Sequence, residues 1–476
     1  MKRQLLNGLV IACLGMPSTV RTYASEFDPF RVNAGVSITA SKAMLAKAGE
    51  VSDCHAITIP ERLDLGTAVE LALCNHPQTR QAWAGVKLQA AQVGTAWSAY
   101  LPGIQLAGER SKGYYESETR DIPELAYSIH SMAHDVSLDM NWTIFDFGTR
   151  AANLENARQL LLAANSTQDA VLQAVFANAA QAFYDLQSAI ATLDANREAE
   201  KSAKESLDVA DGKYHAGVGS LADKLQAQTN HEQAQLHRIQ SEGDVSGKHG
   251  ILAAAMGLPV ETAFELESMS VALPDISFVE SVEKLIAKAK VQHPNILAAQ
   301  AQVKAAEATI DSAKADGLPT LSLVGVADRE MQPGQYAFDT TNRTNKIGVQ
   351  LKIPLFEGMG RSYRVAAAKA QMESKQADLA NTEQQVALNV WKSYQMLMAE
   401  SENLKCTDDL MQSADSSYSV ARGRYKAGVG TIIELLNAQT TLADTRRQKI
   451  QLLAEWNAAR IELAASLGQL GMWATR

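Results

Sequence analysis

Cysteine, proline and tryptophan are scarce in this chain of 476 residues, which has only four, twelve and six of them. The cysteines and the nine histidines show no zinc or redox spacing, so the sequence predicts no metal and no cofactor. Beyond the N-terminus no stretch approaches the ~20 consecutive apolar residues of a membrane-spanning helix. A net charge of −9, with no basic stripe carrying aromatics, argues against a nucleic-acid partner. The chain also lacks a nucleophile elbow, a P-loop and a dinucleotide fingerprint, so nothing favours an enzyme.

The main feature that is present is an internal duplication, with a first copy at 62–258 and a second at 279–470. Residues 213–220 return 211 positions later around a shared Ala-Gly-Val-Gly, and Asn75-His76-Pro77 returns 217 positions later as Gln-His-Pro. A repeat this long predicts one body with two-fold internal pseudo-symmetry. Because the two offsets, 211 and 217, differ, a loop that tolerates insertions should lie inside the strand region. Residues 259–278 form a predicted linker between the copies.

The N-terminus resembles an export signal over residues 1–24, followed by an N-terminal extension at 25–61. It has a positive start, a short apolar run and a small-residue cleavage site. A disordered or buried N-terminal helix is the alternative, and Cys13 leaves a lipoprotein signal open. An exported chain that has no spanning helix is periplasmic, secreted or an outer-membrane β-barrel. In such an oxidising compartment a Cys54–Cys74 disulfide is open, although no spacing demands it.

Two proline-free stretches predict very long helices at ~150–214 and ~361–426. They are rich in residues that favour helix, and each helix would be roughly 98 Å long at 1.5 Å per residue. Apolar residues recur at every seventh position of the second copy: Val390, Leu397, Leu404, Met411, Tyr418 and Tyr425. The first copy follows the same grid, with Glu200 as its one misfit: Ala179, Leu186, Leu193, Leu207 and Tyr214. This repeat predicts a coiled coil, with an ordinary amphipathic bundle helix as the alternative.

Each long helix ends in Ala-Gly-Val-Gly, at a first tip (215–219) and a second tip (427–430). Glycine ends helices because it adopts the left-handed conformation at low cost. The next residues, Ser-Leu-Ala-Asp and Thr-Ile-Ile-Glu, have the pattern of a capping box. New helices are therefore predicted over ~220–257 and ~431–468, and both copies should contain a sharp helix–turn–helix reversal.

Apolar and polar residues alternate in four segments, which predicts strands at ~104–113, ~134–146, ~320–329 and ~345–356. Polar loops containing Gly or Pro separate them at 115–132 and 329–344. Each copy is thus predicted to run helix, strand, loop, strand, very long helix, reversal and helix.

Four strands cannot close a barrel, and an open strand edge is not tolerated in lipid. Two chains would pool eight strands, too few for an open lumen, whereas three chains pool twelve and leave a pore. The predicted fold is therefore mainly helical, with a trimeric twelve-stranded outer-membrane barrel continued by a long helical coiled-coil barrel. Some aromatics near strand ends fit either interfacial girdles or core packing: Trp142, Phe145, Phe147 and Phe356.

The order of these elements resembles the TolC-like outer-membrane efflux family over about residues 62–470. The resemblance is carried by the doubled His-Pro, the strand-to-helix junctions at 144–150 and 355–361, and the two Tyr-x-Ala-Gly-Val-Gly tips. It implies a homotrimeric conduit with a barrel in the Gram-negative outer membrane and a helical tunnel in the periplasm. The implied partners are outer-membrane lipid, a periplasmic adaptor and an inner-membrane transporter of the ABC or proton-driven kind.

The resemblance also implies a periplasmic gate just after the second tip, at Glu434 and Asn437. Asn437 lacks the family's charge, and Gly430 stands where the best-known member has a basic lock residue. Asp223 and Gln226 occupy the equivalent positions of the first copy. Charge at the narrowest ring of a pore controls which ions pass. Helix capping alone also explains the two acids, since negative charge is favoured at helix N-termini.

The glycines and valines of the tips are predicted contacts for the adaptor, with plain turns as the alternative: Gly217, Val218, Gly219, Gly428, Val429 and Gly430. The predicted function is the outer-membrane channel of a tripartite export system. The second tip resembles the type I toxin-secretion branch, of the adenylate-cyclase toxin exporter kind, and small-molecule efflux is the alternative. A periplasmic coiled-coil adaptor is a further alternative, but such a protein usually has one hairpin, and this chain has two.

Overall fold

A computed structural model describes residues 28–32, 60–118, 121–122, 126–266, 281–333 and 339–471 of the chain. The predicted signal peptide and most of the predicted N-terminal extension and linker lie outside these residues. Cys74 is disulfide-bonded, and its pairing with Cys54 stays a prediction because Cys54 also lies outside them. Cys406 is free. Among the helices in the described ranges, none combines the length and the hydropathy that a membrane crossing requires.

The described parts of the two copies contain the same order of elements. In the first copy these are β1 (Arg62–Leu63), α1 (Leu65–Asn75), α2 (Pro77–Ser98), β2 (Gly103–Ser117), β3 (Tyr127–Phe145), α3 (Thr149–His215) and α4 (Leu221–Ala255). β4 (Glu265–Leu266) lies in the predicted linker, and the second copy then contains α5 (Val282–Gln292), α6 (Pro294–Ala315), β5 (Thr320–Pro333), β6 (Asp339–Lys352), α7 (Gly360–Lys426) and α8 (Ile432–Ser466). The short strands β1 and β4 pair in parallel.

The single helix predicted at the start of each copy is two helices, and the His-Pro pair is the reason. His76 and His293 take extended backbone, with ψ of 134° and 126°. A residue before proline is pushed out of the helical region by the proline ring. The proline then begins the next helix, where its missing N–H costs nothing.

The strands are longer than predicted at their hairpin ends. β2 and β3 extend into the segment predicted as a loop at 115–132, and β5 and β6 extend into the one at 329–344. These parts lack a clean apolar alternation, yet their backbones continue to pair. The alternation of apolar and polar residues therefore located the part of each strand that has an apolar face, but it did not locate the end of the ladder.

The last strand is shorter than predicted at its other end. β6 stops at Lys352, whereas the sequence predicts ~356. Pro354 follows two residues later, and proline cannot donate to a strand ladder. Phe356 therefore lies beyond the sheet.

The chain divides into two compact units, and the four long strands belong to the one made of Met1–Val36, Lys87–Leu161 and Glu307–Ala368. They form one antiparallel sheet in the order β2-β3-β5-β6, so β2 and β6 are its edges. One face of this sheet, here the apolar face, is strongly exposed: Leu106 is 71%, Ile347 76% and Val349 70% exposed. The opposite face, here the polar face, carries residues such as Asp135 and Asp328, because side chains alternate along a strand.

The other unit, Ser37–Val86, Leu162–Ala306 and Lys369–Arg476, contains the helical cores. α3 and α7 have 67 residues each, or about 100 Å at 1.5 Å per residue. The seven-residue positions Val390, Leu397 and Leu404 are buried in one core cluster with Trp456 of α8. Glu200, the misfit of the first copy, accepts a 2.7 Å hydrogen bond from Arg238 of α4. An opposing helix therefore satisfies the one carboxylate in that row.

A tight turn joins β3 to α3, and Arg150 ties it together. Phe147 adopts a left-handed backbone with φ of 52° in this turn. The Arg150 guanidinium donates to the Asp146 carboxylate at 2.8 Å and to the Thr143 carbonyl at 2.6 Å. The same carboxylate accepts from the Arg150 backbone N–H at 3.0 Å. A half-buried ion pair thus holds a strained turn.

Replacing Arg150 with alanine should lower the stability of the folded protein by about 2–3 kcal/mol, because a carboxylate and a carbonyl lose a charged donor. The midpoint of thermal unfolding of the purified protein measures this. Arg197→Ala is the matched control, since Arg197 lies on the same helix in exposed ion pairs, which typically contribute under about 1 kcal/mol. Equal midpoints for the two variants would contradict the role given to Arg150.

Candidate functional site at the helical tips

The two tips have nearly identical backbones. Gly217 and Gly428 take left-handed conformations, with φ of 74° and 78°. At the first tip the Val218 N–H donates to the Lys213 carbonyl at 3.0 Å, and at the second the Val429 N–H donates to the Arg424 carbonyl at 3.1 Å. These bonds satisfy the last carbonyls of each long helix, as in Schellman-type ends. Both predicted reversals are present.

The two glycines of each tip act differently. A Cβ atom at Gly217 or Gly428 would meet nothing within 4 Å, so these positions need glycine for their positive φ. A Cβ at Gly219 would lie 2.9 Å from the Lys213 Cβ, and one at Gly430 would lie 3.0 Å from the Arg424 Cβ. The second glycine of each tip is therefore needed for space.

Helices α4 and α8 begin with hydroxyl caps. The Ser220 hydroxyl accepts from the Asp223 N–H at 3.1 Å, and the Thr431 hydroxyl accepts from the Glu434 N–H at 3.2 Å. The hydroxyl half of each predicted capping box is therefore present. Both acids lie in a first helical turn, where the helix dipole favours negative charge.

The four predicted gate residues differ in their surroundings. Glu434, Asn437 and Gln226 are exposed, and Asp223 is half-buried. The Glu434 carboxylate lies 3.9 Å from the Arg424 guanidinium. A basic residue therefore faces the predicted gate acid from α7, although the resemblance implied a lock position at Gly430. No motif in the sequence distinguishes Arg424 from its neighbours.

The two hairpins also contact each other through residues that the sequence analysis missed. The Lys213 ammonium donates to the Tyr425 carbonyl at 2.6 Å and lies 3.7 Å from the centre of its ring. Arg422 pairs with Glu205 at 2.7 Å. These contacts surround a small apolar cluster: Ala210, Ala227, Tyr425, Ile432, Leu435 and Leu436. The tips are thus fastened to one another by a core with charged edges.

Tyr425 is the centre of this contact. It is 4% exposed, whereas Tyr214, its counterpart in the first copy, is 37% exposed. Burial raises the pKa of the Tyr425 phenol, and the charge of Asp223 raises it further. Asp223, the predicted gate acid of the first copy, therefore raises the pKa of a tyrosine in the second copy.

The first hairpin has a tie of its own. The Lys224 ammonium lies 2.6 Å from the Asp211 carboxylate and joins α4 to α3. A hydrogen bond from Lys224 is the main reason that the pKa of Asp211 is lowered. The equivalent positions of the second copy are Arg422 and Leu435, so this tie exists in one hairpin only.

The predicted interfacial aromatics lie in the strand-bearing unit. Phe145 and Phe147 are 52% and 50% exposed, with ring centres 4.8 Å apart, and Phe356 is 78% exposed. The Trp142 indole N–H donates to the Tyr100 carbonyl at 2.9 Å. None of these four side chains is buried in a core of the single chain.

Comparison with known proteins gives three kinds of match, to a family profile, to related sequences and to a solved structure. A sequence profile described as "Outer membrane efflux protein" matches residues 68–258 and again 285–469, once in each copy. Protein CyaE of Bordetella pertussis is 31% identical over 414 residues, which cover 86% of both chains. The alkaline protease secretion protein AprF of Pseudomonas aeruginosa is 21% identical over 84% of both chains. The crystal structure of the outer membrane protein VceC from Vibrio cholerae superposes with a TM-score of 0.73 at 19% identity, covering 86% of this chain and 96% of VceC.

Replacing Lys213 with methionine should loosen the second tip, because the Tyr425 carbonyl loses a charged donor that contributes about 1.5–3 kcal/mol. Amide hydrogen exchange across residues 425–432 should be at least about tenfold faster. Lys204→Met is the control, since Lys204 pairs with Asp208 on its own helix. Unchanged exchange in the Lys213 variant would mean that the two hairpins are not held together by this contact.

Proposed function

This chain belongs to the outer membrane efflux protein family, and on that premise we propose that three copies form the exit channel of a tripartite machine that secretes a polypeptide. Membership makes the chain a channel protein of the Gram-negative outer membrane. The observation that carries the trimer is the sheet of four strands with an exposed apolar face and two open edges.

Lipid forces the edges to close. Backbone groups in hydrocarbon must be hydrogen-bonded, so β6 of one chain pairs with β2 of the next. Three chains supply twelve strands, which leave an open lumen. The apolar face then meets lipid, and the polar face lines the pore. Exposed Phe145, Phe147 and Phe356 fit an aromatic girdle at the membrane surface, where such side chains are enriched.

The tips are the proposed docking contact for a periplasmic adaptor, which links the channel to an inner-membrane transporter. Val218 and Val429 are 77% and 70% exposed at the two tips. An exposed apolar residue on a rigid turn is a suitable anchor for a partner. The channel itself acts as a passive conduit and performs no covalent chemistry.

A secreted polypeptide is the proposed cargo because the second tip resembles that of the type I branch. AprF, which matches most of the chain, is named for the secretion of an alkaline protease. Small-molecule efflux is the second candidate, since the family profile carries that name.

Deleting the chain from its host distinguishes the two cargoes. We expect a polypeptide to disappear from the culture medium while the minimum inhibitory concentrations of toxic compounds stay unchanged. Restoring the deleted chain should restore secretion. Unaltered secreted protein together with increased drug sensitivity would favour efflux instead.

Replacing Glu434 with alanine should reduce the cation selectivity of the pore, because a ring of carboxylates at a constriction attracts cations. Reversal potentials across planar bilayers under a salt gradient measure this. Glu402→Ala is the control, as Glu402 pairs with Lys405 on its own helix away from the tips. Identical reversal potentials for wild type and the Glu434 variant would remove Glu434 from the gate.

Replacing Val218 and Val429 together with aspartate should abolish export while the channel still assembles, because the adaptor would have to bury two charges. Secreted cargo and the trimer band on a gel are measured in the same cells. Val260→Asp is the control at an exposed valine outside the tips. Normal export by the double variant would show that the tips do not bind the adaptor.

A further inference from the structure

The apolar face of the sheet becomes basic towards the hairpin ends of the strands. Four residues of this face form what we call the basic cluster: Arg110, His134, Arg329 and Arg343. Each residue comes from a different strand, and the four occupy two neighbouring rows of the ladder. The three arginines are exposed and His134 is half-buried. The apolar residues nearer the helices, such as Leu138 and Val349, lie on the same face.

Within the cluster, two arginines oppose each other. Arg329 of β5 pairs directly with Arg343 of β6, and Arg110 of β2 pairs directly with His134 of β3. Like charges in directly opposite cross-strand positions destabilise a sheet. An anion bound between the two guanidinium groups would relieve this repulsion.

The protein does not supply that anion in the same rows. The other residues of the two rows are Gly108, Val136, Met331 and Thr341, and none is acidic. The Arg110 guanidinium lies 3.4 Å from the sulfur of Met132. Glu116, further along this face of β2, accepts from the Tyr114 hydroxyl at 3.3 Å.

Carboxylates are abundant nearby but belong to the polar face. Asp135, Asp328 and Glu330 each lie next in sequence to a member of the basic cluster. Successive side chains of a strand point to opposite faces, so these acids are directed away from the cluster. The acids that flank the cluster in sequence therefore lie on the polar face, and the basic cluster lies on the apolar face.

The position of the cluster fits a membrane surface. From Phe145 to His134, β3 covers about 36 Å at about 3.3 Å per residue, which is about 26–30 Å of height at the 35–45° tilt of barrel strands. The apolar band of an outer-membrane barrel is about 25 Å tall and ends in aromatic girdles. Just beyond the cluster, the rings of Tyr114 and His130 are in contact, with centres 4.8 Å apart. The cluster therefore lies at the edge of the apolar band, at the depth of lipid headgroups.

We propose that the basic cluster binds the phosphate groups of an anionic lipid in the outer leaflet of the membrane. The proposal rests on the proposed function, since the apolar face must contact lipid. An arginine guanidinium matches a phosphate with two parallel hydrogen bonds, and adjacent arginines hold it more tightly than a lysine would. The acyl chains of the same lipid cover the apolar residues below. Each protomer carries one such site.

The test compares lipid A carrying its phosphates with the dephosphorylated lipid, which has the same acyl chains. Each is titrated into the full-length channel in detergent, and the rise in melting temperature gives the half-saturating concentration. The phosphorylated lipid should stabilise the wild type. In Arg329→Gln/Arg343→Gln the half-saturating concentration should rise about 30-fold, taking about 1 kcal/mol for each basic residue at a membrane surface.

The matched control is Lys346→Gln/Lys352→Gln, which removes two charges from the polar face of β6, the strand that carries Arg343. It should bind phosphorylated lipid as the wild type does. Should the glutamine variant fail to fold, Arg329→Lys/Arg343→Lys is used instead. It keeps the charge but lacks the paired N–H donors of the guanidinium, so its binding should weaken several-fold. Undiminished binding by the arginine variants would overturn the proposal. Equal stabilisation by dephosphorylated lipid or by inorganic phosphate would overturn it as well.

Single-channel conductance in the same preparations separates this inference from the proposed function. Because the cluster does not line the pore, the arginine variants should conduct as the wild type does. If the wild-type protein binds lipid and never conducts, the proposed channel function is refuted and the lipid site stands. A conducting channel whose variants bind lipid normally would refute the lipid site alone.

Discussion

Backbone groups that enter a lipid phase must find hydrogen-bond partners, and in this protein that requirement decides the role of the sheet. Each chain builds two antiparallel strand pairs and joins them, which leaves β2 and β6 as open edges. Among the residues that the structure describes, no further strand lies at either edge, since β1 and β4 pair with each other. Closure with neighbouring chains satisfies the edges and also creates a lumen lined by the polar face. The lipid site inferred for the basic cluster depends on the same closure.

Duplication gives the two halves of the chain one backbone plan, and side chains then distinguish them. Both tips share the same hydrogen bonds and the same pair of glycines. The first hairpin is tied internally by Asp211 and Lys224. In the second, Arg422 instead reaches across to Glu205, and Tyr425 is buried by the first hairpin. A pseudo-symmetric frame therefore carries asymmetric contacts.

Much of the fold follows from the sequence because its signals are local. Proline-free heptads and glycine-rich ends predict the long helices and their reversals, and alternation predicts where each strand has an apolar face. The break at His76-Pro77 was equally local but was missed, since the helical pattern continues on both sides of it. The strand ends were missed because backbone pairing continues beyond the residues that alternate between apolar and polar. Contacts such as Lys213 with Tyr425 depend on how two distant segments pack, and a single sequence does not encode that in any short motif.

The most direct test of the account is whether neighbouring chains pair edge to edge. In a Cys406→Ser background, a cysteine in place of Ala107 on β2 is combined in turn with one at each polar-face position of β6, and intact cells are oxidised. We expect one or more combinations to give covalent dimers and trimers on a denaturing gel, with nothing larger. Absence of cross-links in every combination, or a ladder that continues past three chains, would contradict the closed trimeric barrel.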